Sequence, residues 1–178
     1  MLGLQFRKKM SDQIINKVAN SGLLSLDLED WYVEGERKQI DLKENLFQGF
    51  ILKEKDFRKF LKEKDFEEFR GTHVAITCSE DVIIPTWAYM LYATKLSGIA
   101  QTVVFGNFDQ LEYQLYKNKF DQVDFDTYKG LRVVVKGCSK YSLPESIYVE
   151  LTNRLMPHVK TLMFGEPCSS VPLYKKRS

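Results

Sequence analysis

Residues 130–165 read GLRVVVKGCSKYSLPESIYVELTNRLMPHVKTLMFG, and residues 71–106 read GTHVAITCSEDVIIPTWAYMLYATKLSGIAQTVVFG. Set one above the other, the landmarks stay in step. Gly71 and Gly130, Pro85 and Pro144, Tyr89 and Tyr148, Leu96 and Leu155, and Phe105-Gly106 and Phe164-Gly165 are each 59 positions apart. Only the loop between cysteine and proline shifts, by a single position. A period held over so many landmarks predicts an internal duplication, with a first repeat over residues 57–106 and a second over 116–165.

Within each copy a short apolar run is followed by a helical stretch and a second apolar run. THVAIT and TVVFG flank PTWAYMLYATKL; RVVVKG and VKTLMFG flank PESIYVELTNRL. FDQLEYQLYKNKF reads as the helix that links them, with Leu111, Leu115 and Tyr116 on one stripe. Alternation of this kind predicts an α/β fold: βαβ units in one mainly parallel sheet of four strands, flanked by helices. Three consecutive valines, Val133 to Val135, suit a strand covered on both faces. Ahead of each copy stands an aromatic lead-in, DFEEFRG and DFDTYKG, expected to pack beneath the sheet.

Upstream, SDQIINKVANSG reads as a helix capped by Ser11 or Asp12 and ended by Gly22. Leu24, Leu26 and Leu28 alternate with polar residues, as in a strand with one buried face. RKQIDL and LFQGFIL, separated by KEN, read as a β-hairpin. The expectation is an N-terminal addition of helix and mainly antiparallel β layer on a single domain spanning residues 10–178, after a disordered extension over residues 1–9. KEKDFRKFLKEK carries Phe57, Phe60 and Leu61 on one helical stripe and charge elsewhere. PTWAYMLYATKL is apolar all round, so it needs cover on two sides, from the N-terminal β layer or from a second subunit in a homodimer.

The chain has 178 residues, 26 basic and 24 acidic side chains and a net charge of +2. So weak a field argues against a nucleic-acid partner, and RKK near the start and YKKRS at the end read as solubilising basic patches. The longest apolar segment, VIIPTWAYMLYA, is too short for a bilayer, so no membrane role is expected. Three cysteines without a CxxC pair argue against a disulfide framework and for a reducing cytoplasm.

Those cysteines carry the chemical expectation. Cys78 closes AIT, Cys138 follows VVVKG and Cys168 follows TLMFG, so in one parallel sheet all three would share the carboxyl-end rim where α/β folds put ligands. Soft thiolates there would suit zinc or an iron–sulfur cluster, with Glu166, Asp81 or a partner completing the shell. Glu80 and Asp81 would oppose a thiolate at Cys78, and Lys140 would support one at Cys138. The competing reading is that cysteine is a small apolar residue that fits at strand ends. His73 and His158 fall toward the opposite rim. Tyr89 and Tyr148 read as core aromatics with hydroxyls reaching the rim, and Trp87 as packing. No catalytic constellation is identified: a thiol enzyme using Cys138 lacks a base, and no phosphate-binding glycine loop is present.

The strings IINKVANSGLLSLDLEDWY, AITCSEDVIIPTWAYMLYATKL, VVVKGCS and MFGEPCSSVPLYK resemble an uncharacterised bacterial family, a domain of unknown function seen mainly in the Bacteroidota. Its genes lie near those of the SUF iron–sulfur assembly system. The resemblance implies an accessory role in cluster assembly or sulfur handling, with iron–sulfur assembly proteins as partners; it assigns no ligand residue, and in that role Cys78, Cys138 and Cys168, set on one rim by the strand pattern, would bind a metal or cluster or accept sulfur. The alternative is a non-catalytic α/β protein-interaction module with structural cysteines.

Overall fold

The structure, a computed structural model, describes residues 22–177. The helix expected from Ser11 or Asp12 and the extension over residues 1–9 lie outside the described residues. The described chain is a mixed α/β fold with four α-helices and two mostly parallel sheets. It divides into two compact units. One takes the chain up to Tyr32 together with Gln122–Ser142 and Tyr148–Ser178; the other takes Val33–Asp121 and Leu143–Ile147.

The second of these contains β2 (Arg37–Asp41), α1 (Glu54–Glu63), β3 (His73–Thr77), α2 (Thr86–Leu96), β4 (Thr102–Phe105) and α3 (Phe108–Phe120). Its sheet has the order β2-β3-β4, all parallel. Alternating side chains send β3 into two cores. Val74 and Ile76 pack with Phe57, Leu61, Ala88, Tyr92 and Leu96 of α1 and α2, whereas Ala75 packs with Leu111 and Leu115 of α3. The Asn107 side chain accepts from Asp109 and Gln110 N–H, and the Gln110 side chain returns the bond to Asn107 N–H, a capping box that fixes where α3 begins.

The other unit is built on β1 (Leu23–Asp27), β5 (Arg132–Lys136), β6 (Thr161–Glu166) and β7 (Ser169–Lys175), in that order across the sheet. β1, β5 and β6 are parallel, and β7 returns antiparallel to β6. Helix α4 (Glu145–Leu155) connects β5 to β6 and buries Ile147, Leu151 and Leu155. All three of Val133, Val134 and Val135 are buried, as the valine run predicts.

The expected single sheet of four parallel strands is therefore corrected to two sheets, each holding one βαβ segment. The expected antiparallel addition is corrected as well. β1 and β2 are parallel edge strands, in register with β5 and β3 respectively. Instead of turning a hairpin, KEN lies in a 3-10 helix over Leu42–Asn45, started by the Asp41 carboxylate accepting from Lys43 N–H at 3.0 Å. The downstream run keeps only an isolated bridge between Phe47 and Ile51. The cause is legible in Ile40 and Leu42, which bury against the α1–α2 core and leave the strand's hydrogen bonds to β3. The lead-ins form 3-10 turns over Glu67–Phe69 and Phe125–Tyr128, with Phe66, Phe69, Phe125 and Tyr128 buried. The cover of α2 comes in part from α1: Phe57 meets Tyr92 edge-on at 5.4 Å and tilts against Trp87 at 6.0 Å. Met90 remains exposed.

Candidate functional site

Parallel sheets offer ligands the loops beyond their carboxyl ends, and in each unit that loop follows the strand carrying the densest apolar run. After β5 comes Gly137-Cys138-Ser139-Lys140-Tyr141. One oxygen of the Glu29 carboxylate, Oε1, accepts the N–H of Lys140 at 3.0 Å, the N–H of Ser139 at 3.1 Å and the Ser139 hydroxyl at 3.3 Å. Consecutive backbone donors of this kind form an anion-binding concavity, and here the anion is supplied by the chain itself. Glu29 reaches it because Asp27, at the end of β1, accepts from Glu29 N–H and turns Leu28–Trp31 into a 3-10 helix.

The thiol of Cys138 sits in the same cluster. Its Sγ lies 3.7 Å from Glu29 Oε1 and accepts from Tyr141 N–H at 3.3 Å. Cys138 N–H donates to the Tyr148 hydroxyl at 3.1 Å. Tyr141 stacks on Tyr32, ring centroids 3.6 Å apart and planes within 3°. Burial, only partly offset by Tyr141 N–H, pushes the thiol's pKa up, and the neighbouring Glu29 charge pushes it the same way. The N–H groups of Lys140 and Ser139 hold the Glu29 carboxyl below its ordinary value of 4.5. The support expected from Lys140 for a thiolate is thus outweighed by burial and by Glu29, a residue the sequence reading passed over.

The other unit closes its loop in a similar manner. Asp41 Oδ1 accepts from Ser79 N–H at 3.0 Å. Burial alone would raise the Asp41 pKa, but the bonds from Ser79 and Lys43 prevail and lower it. Cys78 is half-buried, with Sγ 3.8 Å from the Glu80 carbonyl oxygen. Leu26-Asp27-Leu28 and Ile40-Asp41-Leu42 each end an edge strand with the same apolar-Asp-Leu step, in which Asp41 holds its loop directly and Asp27 instead caps the turn that presents Glu29.

Cys138 and Cys168 lie beyond the carboxyl ends of β5 and β6 in one sheet, whereas Cys78 follows β3 in the other. All three are free, Cys168 exposed. Among the described residues no three His, Cys, Asp or Glu side chains are gathered so as to hold a metal ion. Neither Glu166 nor Asp81 joins them. Glu166 instead faces Lys136 at 3.7 Å. Tyr89 and Tyr148 meet Phe105 and Phe164 edge-on, at 5.0 Å and 5.8 Å. His73 is buried, its Nε2 3.1 Å from the Glu34 carbonyl oxygen. His158 Nδ1 lies 3.0 Å from Asp126.

This geometry has a chemical consequence at Cys138. With its thiol kept protonated, Cys138 is expected to react with iodoacetamide at pH 8 more slowly than exposed Cys168. Glu29→Gln should raise the Cys138 rate and speed amide exchange at Ser139 and Lys140, read by timed alkylation and hydrogen-exchange mass spectrometry. Because the folded pKa of Glu29 is depressed, its hold on the loop is present above pH 4.5 and is lost as pH falls through the lower, folded value. In the wild type, protection of those two amides should therefore fade on acidification below pH 4.5. Protection that is the same in both proteins at pH 7 would remove Glu29 as the latch.

Among the described residues no helix is long and apolar enough to cross a membrane. Residues 12–176 match the family described as "Protein of unknown function (DUF2480)". No curated protein and no solved structure matches the chain.

Proposed function

We propose that this chain, which belongs to the DUF2480 family, is a non-catalytic α/β binding module whose cysteines are structural. The observation that carries the reading is the pair of carboxylates at the sheet ends. Glu29 occupies the donors of Ser139 and Lys140, and Asp41 those of Ser79, so the loops that would otherwise receive a substrate are held by the chain itself. The raised pKa of Cys138 supports the same view, since a nucleophile needs its thiolate.

The test is anaerobic purification followed by metal and acid-labile sulfide analysis of the wild type and of a Cys78→Ser, Cys138→Ser, Cys168→Ser variant. The expected result is no stoichiometric metal or sulfide in either, with the same circular dichroism spectrum. Stoichiometric metal or sulfide in the wild type that disappears from the variant would overturn it. That outcome belongs to a second reading, an accessory protein of iron–sulfur assembly in which zinc or a cluster is held by Cys138 and Cys168 with ligands from an assembly partner. It is favoured by one observation, that these two cysteines stand at the same end of one sheet.

We also infer that the two units derive from one βαβ segment used twice. Both have the order edge strand, 3-10 turn, lead-in turn, strand, helix, strand. Matched glycines share a left-handed backbone, with φ of 70° at Gly71 and 74° at Gly130.

A further inference from the structure

A cavity of about 650 Å³ opens at the end of the β5–β6 sheet remote from Cys138. Its walls come from three places that the topology brings together. Lys129 precedes β5, His158 and Lys160 precede β6, and Lys176 and Arg177 follow β7, whose antiparallel return sets Lys175 beside Thr161. The segments are pinned to one another by the backbone: Gly130 N–H donates to the His158 carbonyl at 2.9 Å, Lys160 N–H to Leu131 at 2.7 Å, and Lys176 N–H to Lys160 at 2.9 Å. Lys176 and Arg177, two of the residues in the basic patch near the end of the sequence, therefore line a concavity.

The charge of that cavity is not balanced from within. Among the described residues the one carboxylate in its wall, Asp126, lies 3.0 Å from His158 Nδ1. Among the described residues Lys129, Lys160, Lys176 and Arg177 have no ion pair. A second cavity, of about 470 Å³ in the other unit, is the contrast. There Lys43 faces Asp41 at 3.6 Å and Lys64 faces Glu68 at 2.6 Å, and its three lysines are matched by three carboxylates. Lys129, Lys160, Lys176 and Arg177 are exposed, and four like charges on separate segments lining one concavity favour an anion there. The volume falls within the range of small-molecule sites, about 300–1,000 Å³. Lysine ammonium groups and an arginine fork are the side chains that recognise phosphate oxygens.

We propose that this cavity is a binding site for a small polyanion bearing phosphate groups, contacted by Lys129, Lys160, Lys176 and Arg177. The site stands apart from the sheet ends on which the proposed function rests, and the two fail independently.

The probe is inorganic pyrophosphate, titrated by calorimetry into the full chain at low ionic strength and again with added sodium chloride. Saturable one-to-one binding that weakens with salt is expected. Lys160→Glu with Lys176→Glu should weaken it by about tenfold or more, as loss of charge-assisted bonds requires. Lys55→Glu with Lys62→Glu, exposed on α1 and equal in charge change, should leave it unaltered. Lys160→Gln with Lys176→Gln gives the same answer should the reversal disturb folding. Absence of saturable binding would overturn the proposal, as would equal weakening by the α1 pair, which would reduce the effect to net charge.

Discussion

Replacing Phe57 by alanine is expected to lower stability by about 3–5 kcal/mol, the cost of removing a buried aromatic side chain from a core that cannot collapse onto the void. Phe57 is only 2 % exposed. It joins α1 to α2 through its edge-on contact with Tyr92 and its tilted contact with Trp87, and such aromatic pairs add to the burial term. Tyr92 is itself fixed, because its hydroxyl donates to Asn45 Oδ1 at 2.9 Å. That anchor limits how far the ring can move into the space left by Phe57. Phe60 supplies the control: it lies on the same helix but is 37 % exposed, and Phe60→Ala should cost about 0.5 kcal/mol. Urea unfolding followed by Trp87 fluorescence, in a Trp31→Phe background, makes the comparison. Equal midpoints for the two alanine variants would mean that α1 does not hold this core.

The second large effect is expected at Gly165. Its φ is 115°, a conformation that side-chain-bearing residues rarely adopt, and a Cβ there would stand 2.9 Å from the backbone oxygen of Ser169. That contact cannot be relieved by rotating a side chain, since the obstacle is the backbone of the facing strand. Gly165→Ala should therefore cost about 1–3 kcal/mol. It should also disturb the β6–β7 pairing that starts at Glu166 and Ser169 and runs to Thr161 and Lys175. Because that pairing carries Lys176 to Lys160, the variant should bind pyrophosphate more weakly than wild type even where it remains folded. Thermal unfolding and the calorimetric titration measure the two consequences separately. Wild-type values in both would show that the hairpin tolerates a side chain at this turn.

Much of the local structure could be read from the chain. The linking helix falls on Phe108–Phe120 as its apolar stripe implies, and the strand–helix–strand segments start and stop within two residues of their predicted bounds. These are elements whose periodicity is set by their own burial. What could not be read was partnership between strands. The run of apolar residues in β3 and β5 states that both faces are covered, but not which edge strand lies alongside, and parallel pairs carry no turn to fix their register. So Leu26-Asp27 and Ile40-Asp41 read as parts of an antiparallel layer, whereas each completes a parallel sheet. Glu29 escaped notice for the same reason: its role depends on β1 lying beside β5, a pairing that links Leu23 to Arg132. The cysteines follow strand ends, but the strands belong to two sheets where the sequence pattern implies one. At the opposite end, nothing in the composition of residues 169–175 announces the strand that brings Lys176 to Lys160.

The interleaved path of the chain bears on how it is made. Val33–Asp121 is one uninterrupted stretch, and its strands find partners soon after they emerge, Arg37 with His73 and His73 with Thr102. β1 is synthesised before all of them yet has no neighbour until Arg132 leaves the ribosome. Since nearby pairings close faster than distant ones and domains tend to form as they are translated, β2, β3 and β4 should assemble while β1 still waits with an open apolar edge. The earliest strand among the described residues is thus the one most exposed to capture by chaperones or by other nascent chains.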